Sequence, residues 1–194
     1  MAAPTPQLRP PDPVPGHTDP EGNGVVVGDG PVVVDTYIDF LCPFCRRFAE
    51  ESGPTLDRLV DDRTIRVVHH PLGFLDDLSP NRYSSRAAAA SGCAADGNRF
   101  REYFEVLFAH QPAEGEPGHT DEELAELGRR AGLTGREFAQ KVLAGTYLDW
   151  TAYVTSSALA RGVGGTPTVT VQGTAVPAEP RAVLAAVGRA ATRR

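Results

Sequence analysis

Val32-Val33-Val34-Asp35-Thr36-Tyr37-Ile38-Asp39-Phe40-Leu41-Cys42-Pro43-Phe44-Cys45 is the stretch on which the reading of this chain turns. Its first half is apolar and β-branched, the pattern of a buried strand. Beyond it, residues 46–61 carry Phe48, Leu56, Leu59 and Val60 as the apolar members of a helix. Two cysteines two residues apart therefore stand where a strand hands over to a helix. There, unpaired backbone N–H groups and the positive end of the helix favour a thiolate at Cys42. Cys45 lies one turn further in and can reach back to close a disulfide. The arrangement reads as a redox pair. A structural zinc site would need four ligands, and Cys93 is the only other cysteine, with no second CxxC and no HxxxH. Inert core thiols fit poorly with Pro43 and Arg46-Arg47, which suit an exposed loop and helix start.

The 194 residues, 41% of them hydrophobic, suffice for one sizeable core and an embedded subdomain. A formal net charge of −6 gives no footing for nucleic acid, and the basic residues form no run. No apolar stretch approaches the roughly 18 residues of a membrane span. Three cysteines are too few for a disulfide-stapled secreted scaffold. Residues 1–23 hold seven of the 17 prolines and no signal-like apolar core, and are expected to form a disordered tail. As written the chain is expected in the cytoplasm, or outside it if a native leader has been removed.

Val25-Val26-Val27 and a Gly28-Asp29-Gly30 turn precede the central strand. Gly53-Pro54 is expected to kink or break the helix after the cysteines, because proline lacks a donor and clashes one turn back. Residues 64–69 form the next strand, parallel to the first through a right-handed crossover. From about Pro80 to Arg161 the pattern is helical. Phe100, Tyr103, Phe104, Leu107 and Phe108 share one face, and Trp150 is assigned to the core. Thr120 with Glu123 and Thr134 with Glu137 have capping-box spacing, while Gly132, Gly145 and Gly162 suit left-handed helix ends. A hairpin over Thr168–Val171, Gln172-Gly173 and Thr174–Val176, then a helix from about Glu179 to Ala191, complete the chain. The result is an α/β fold whose second, all-helical unit is inserted into the first.

With these elements in order, the chain resembles the DsbA-like thiol-disulfide oxidoreductases. The specific points are Cys42-Pro43-Phe44-Cys45 and Gly164-Gly165-Thr166-Pro167-Thr168. The resemblance implies a thioredoxin-like fold, a central mixed sheet flanked by helices, over residues 24–71 and 162–194. It places the inserted helical subdomain at 72–161. It also implies that Pro167 is cis and packs against the cysteines, and that the backbone of Thr166 receives an extended substrate segment. The chain departs from the family at position 36. Relatives place a buried Glu or Asp six residues before the first cysteine, as a proton relay to the second, and here the residue is Thr36. Asp35 and Asp39 bracket it, but strand alternation turns both to the opposite face. They are either ordinary surface or strand-end carboxylates, or a relay rebuilt from the other side.

The expected chemistry is dithiol–disulfide exchange with protein substrates and a redox partner, with Cys42 attacking and Cys45 resolving, and no cofactor or metal. A monomer is expected, with no membrane partner. The alternative is a non-enzymatic redox sensor or adaptor, in which the disulfide state controls partner binding. Oxidase, reductase and isomerase use the same parts, so direction rests on the reduction potential. Pro43 and Phe44 are the residues placed to tune it. Phe44 brings neither charge nor donor, and its ring is expected to shield the site from water, which disfavours the thiolate. A Cys42 pKa between about 3.5 and 8.5 is expected, with a potential more reducing than about −120 mV. Cys93 is assigned as a small core hydrophobe, and His69-His70 as a strand-end pair rather than a ligand set.

Overall fold

A computed structural model describes residues 8–192, and its centre is a five-stranded mixed sheet in the order β1-β3-β2-β4-β5. The strands are β1 (Val25–Val27), β2 (Val32–Ile38), β3 (Ile65–Pro71), β4 (Thr168–Val171) and β5 (Thr174–Val176). β2 and β3 run parallel, and every other pairing is antiparallel. The Val-rich run is central because it is buried on both faces, with β3 and β4 on either side. One face of the sheet packs α1 (Pro43–Asp61) and α7 (Pro180–Thr192), through Phe48 and Leu56 on α1, Val183 and Val187 on α7, and Val32, Val34, Val67 and Val169 beneath. Between β3 and β4 the chain makes α2 (Tyr83–Asp96), α3 (Phe100–Ala109), α4 (Asp121–Arg130), α5 (Arg136–Leu143) and α6 (Leu148–Ala160). These helices share one continuous apolar cluster with Tyr37, Phe40, Leu41, Cys42 and Cys45, so the insert and the cysteine loop have a common core.

Local signals explain most boundaries. Thr120 and Glu123 form the expected capping box at α4. Gly132, Gly145 and Gly162 take φ of 85°, 60° and 82°, as left-handed helix ends require. Gln172 and Gly173 both have positive φ, the turn that suits a two-residue hairpin. Two expectations fail. α5 has Gly135 rather than Thr134 at its N-cap, one residue later than expected, so Glu137 is the second helical residue and pairs with Lys141 one turn on. α1 runs unbroken through Gly53-Pro54, since the burial of Phe48 and Leu56 on one stripe holds both halves to the sheet.

The segment expected as a tail divides. Residues 1–7 lie outside the described residues, while residues 8–24 form a strap across the helices to the sheet edge, in place of the expected disorder. Gly16 N–H donates to Asp96 at 2.8 Å, Trp150 Nε1 to the Gly22 carbonyl at 2.8 Å, and the Tyr153 hydroxyl to the Glu21 carbonyl at 2.8 Å. The last anchor is His70, stacked on Tyr37, whose Nδ1 lies 2.7 Å from the Asn23 carbonyl and Nε2 3.1 Å from Asp35. Prolines restrict the strap's backbone, so these few hydrogen bonds order it at reduced entropic cost. Among the described residues no helix is long and apolar enough to cross a membrane.

Asp96 joins the strap to two helices, accepting from Gly16 N–H, Lys141 Nζ at 2.7 Å and the Tyr147 hydroxyl at 2.7 Å. Burial pushes its pKa up, but these donors, Lys141 foremost, outweigh that and hold it below the ordinary 3.8. Asp96→Ala is therefore expected to cost about 2–3 kcal/mol at neutral pH, seen as a lower urea midpoint at unchanged slope. A depressed folded pKa means this stabilisation is complete above the ordinary value and disappears as pH falls through the folded one. The gap between wild type and variant should close in acid.

Candidate active site

β2 ends at Ile38, and four residues later Cys42 occupies the N-cap position of α1 with extended backbone (φ −73°, ψ 118°). Pro43 takes the first helical position, where a missing N–H costs nothing and its fixed φ suits the helix. The N–H groups of Cys45 and Arg46 bond the Cys42 carbonyl at 3.1 Å each and close the first turn. Both thiols are free; Cys42 is 4% exposed and Cys45 fully buried. Thr166-Pro167 is a cis peptide, and the Cys42 thiol lies 3.5 Å from the Thr166 carbonyl. The Cys42 thiol thus sits beside the Thr166 carbonyl, next to the cis bond to Pro167. Gly164 and Gly165 beside them are exposed, with open space where side chains would stand.

The two sulfurs differ strongly in electrostatics. The Cys42 pKa falls to about 6, chiefly through a hydrogen bond from the Cys45 thiol, against burial, with further help from Thr166 and the backbone N–H groups of Cys45 and Phe44. Burial drives the Cys45 pKa far up, and the hydrogen bond to Cys42 and its charge add to this. Cys93 lies buried in α2, and desolvation raises its pKa to about 12. Arg46 and Arg47 pair outward with Glu50 and Glu51.

Phe44 departs from its expected role. It is 69% exposed, so its ring projects from the site and does not shield Cys42 from water. At the second helical position the side chain points away from the core, while its N–H faces back to the cap.

Of the two carboxylates that bracket Thr36, Asp39 is fully buried, neither on the surface nor at a solvated strand end. Its Oδ1 accepts from Leu41 N–H at 2.8 Å and the Ser84 hydroxyl at 2.7 Å, and its Oδ2 from Leu75 N–H at 2.9 Å. Its own N–H lies 3.4 Å from Cys45 Sγ. Burial outweighs those three donors and, with the nearby Cys42 charge, lifts its pKa to about 6. Gln111, just after α3, donates from Nε2 to the carbonyls of Phe40 at 2.9 Å and Cys42 at 3.0 Å. Gln111 is absent from the sequence reading because the carbonyls it binds lie 69 and 71 residues away; the burial of Asp39 likewise rests on Leu75 and Ser84, 36 and 45 residues away. Thr36 is buried and bonded to His69 Nδ1 at 2.8 Å. Among the described residues no cluster of three His, Cys, Asp or Glu side chains is arranged to hold a metal ion.

A family model described as Thioredoxin matches residues 21–187. The reduced disulfide bond oxidoreductase DsbG of Mycobacterium tuberculosis is similar in structure, with a TM-score of 0.77 at 35% identity over 87% of each chain. Oxidized DsbA of the same organism gives 0.74 at 37% identity, over 82% of this chain and 83% of that one. Among curated proteins, the serine/threonine-protein kinase PknE of M. tuberculosis is 36% identical over 119 residues, 57% of this chain. The chain spans about a fifth of that kinase's length, 21%.

Thiolate absorbance of the reduced protein should titrate with a midpoint near 6. One equivalent of iodoacetamide at neutral pH should label Cys42, at a rate that falls about tenfold per unit below that midpoint. Labelling of Cys93 or Cys45 in preference would contradict the assignment.

Proposed function

The chain belongs to the thioredoxin family, among its DsbA-like thiol-disulfide oxidoreductases, and from that premise we propose that it exchanges disulfides with protein thiols through Cys42 and Cys45. The observation that carries the proposal is the asymmetry of the pair. One thiol is ionised near neutrality at a helix start, and the other is buried, protonated and within hydrogen-bond reach of it. In the reducing direction the Cys42 thiolate attacks a substrate disulfide, one substrate sulfur leaves as thiolate, and a mixed disulfide forms. Cys45 then loses its proton and attacks Cys42 Sγ, releasing the second substrate thiol and closing the Cys42–Cys45 disulfide. The oxidising direction is the same sequence reversed.

The substrate rests, in this reading, against the exposed ring of Phe44 and along the open Gly164-Gly165-Thr166-Pro167 backbone. Backbone contacts are indifferent to side-chain identity and suit an enzyme with many protein substrates. Direction follows from the compartment. A stabilised Cys42 thiolate stabilises the reduced form and makes the disulfide more oxidising. Against a glutathione poise of about −220 to −260 mV such a site is held reduced, and in an oxidising compartment it donates its disulfide.

Asp39 is the carboxylate best suited to take the Cys45 proton. Its N–H meets Cys45 Sγ, and a pKa of about 6 leaves it ionised at pH 7. With two donors on Oδ1 and one on Oδ2, one acceptor position on Oδ2 remains open. Thr36, in the position where relatives carry the acid, is engaged by His69 instead.

Two experiments test these assignments. Cys45→Ser should accumulate mixed disulfides with reduced, unfolded protein substrates, all through Cys42, while Cys42→Ser should accumulate none. An equal yield from both variants would sink the assignment of roles. Asp39→Asn should slow release of the mixed disulfide at least about tenfold and leave the rate of its formation within about twofold. Resolution at the wild-type rate would remove Asp39 from the proton path.

A further inference from the structure

Away from the cysteines, at the flank of α1, lies a cavity of about 320 Å³ that the exchange chemistry does not use. α1, α3 and the sheet enclose it, with Phe48, Leu56, Val67 and Phe104 as walls. It is within the range of small-molecule sites, about 300–1,000 Å³. His69 lines it as well, and burial pushes its pKa down to about 3, so the ring is neutral. Thr36 occupies Nδ1, and among the described residues Nε2 has no hydrogen-bond partner. The chamber thus presents one imidazole nitrogen that no protein group engages, available to a ligand that enters it.

The mouth carries charge of one dominant sign. Glu50, Asp57 and Glu105 line it against Arg101. Arg101 is taken up by Asp57 at 2.8 Å and Asp61 at 3.1 Å, and Glu50 by Arg46 at 2.8 Å. Glu105 has no ion-pair partner among the described residues, and burial, with the charge of Asp57 second, raises its pKa. An unpaired carboxylate at the rim of an apolar chamber attracts a cation and repels an anion.

We propose that this cavity binds a small amphiphilic amine: an apolar, aromatic-sized body between Phe48 and Phe104, a polar atom on His69 Nε2, and an ammonium at Glu105. The site is independent of the exchange reaction, although its α1 wall belongs to the helix that carries both cysteines at its start.

The test titrates the reduced full chain, by amide chemical shifts, with tyramine, 4-ethylphenol and 3-(4-hydroxyphenyl)propionate, which share the phenol and differ in the far group. Tyramine should bind with Kd about 0.1–1 mM. Loss of the ammonium should weaken binding about fivefold at low salt, and the carboxylate more than that. Glu105→Gln should bring tyramine down to the level of 4-ethylphenol. Gly53 lines the cavity with nothing within 4 Å of the position its Cβ would take, so Gly53→Leu should fill the chamber and keep the fold. Tyramine affinity should then drop more than about tenfold with disulfide exchange unchanged. The proposal is overturned if tyramine fails to bind, if the carboxylate binds as well as the amine, or if a folded Gly53→Leu protein binds tyramine like wild type.

Discussion

The structure depends on one vacancy, the unpaired backbone donors at the start of α1. A helix begins with N–H groups that have no partner in the preceding turn, and a Ser, Thr, Asp or Asn at the N-cap normally satisfies them. Here that position is Cys42, whose neutral thiol makes no capping bond. The thiolate does what the thiol cannot, accepting from the Phe44 N–H, from the Cys45 N–H that it shares with the Cys42 carbonyl, and from the Cys45 thiol. Ionisation completes the cap. The same feature explains the pairing with Cys45: one turn along, it is close enough to donate to the Cys42 sulfur. Under the proposed exchange a disulfide would lose these interactions, and the fold would bias the pair toward reduction.

Holding that helix end still is the work of the elements around it. Gln111 from the insert binds the carbonyls of Phe40 and Cys42, and Asp39 binds the loop after β3 and the first turn of α2. The helical insert is therefore part of the site's mechanical support, consistent with the core it shares with Cys42 and Cys45. Burying Asp39 is costly, as its raised pKa records, and its three donors offset only part of that cost. Near pH 6 both Asp39 and Cys42 titrate, each opposing ionisation of the other, so the pair should be treated as coupled.

Much of this was legible in the residues. The Val-rich strand, the CxxC at the helix start, the Thr120 capping box and the glycine helix ends are local signals, and local physics fixes them. The Gly164–Thr168 segment gave its meaning only by resemblance, since no single residue in it announces contact with a sulfur 124 residues away. What could not be read depends on distant partners. Asp39 stood between an ordinary surface or strand-end carboxylate and a rebuilt relay, and its burial follows only from the 72–79 loop closing over it; the proline-rich segment seemed a tail until Trp150 and Asp96 supplied its anchors. Phe44 was misjudged for another reason: its orientation follows from the helical position it occupies, which its chemical character does not reveal. Thr134 is not the cap because α5 starts one residue later, at Gly135, which moves Glu137 off the capping-box position.

The Cys45 thiol and the helix start act together on Cys42. Thiolate titration of Cys45→Ala beside wild type separates them. The structure leads to a midpoint above the wild-type value of about 6 but still below about 8.5, the free-cysteine value, because the backbone donors remain. A midpoint unchanged from wild type would show that the Cys45 thiol contributes nothing, and one at the free-cysteine value would show the same of the helix start.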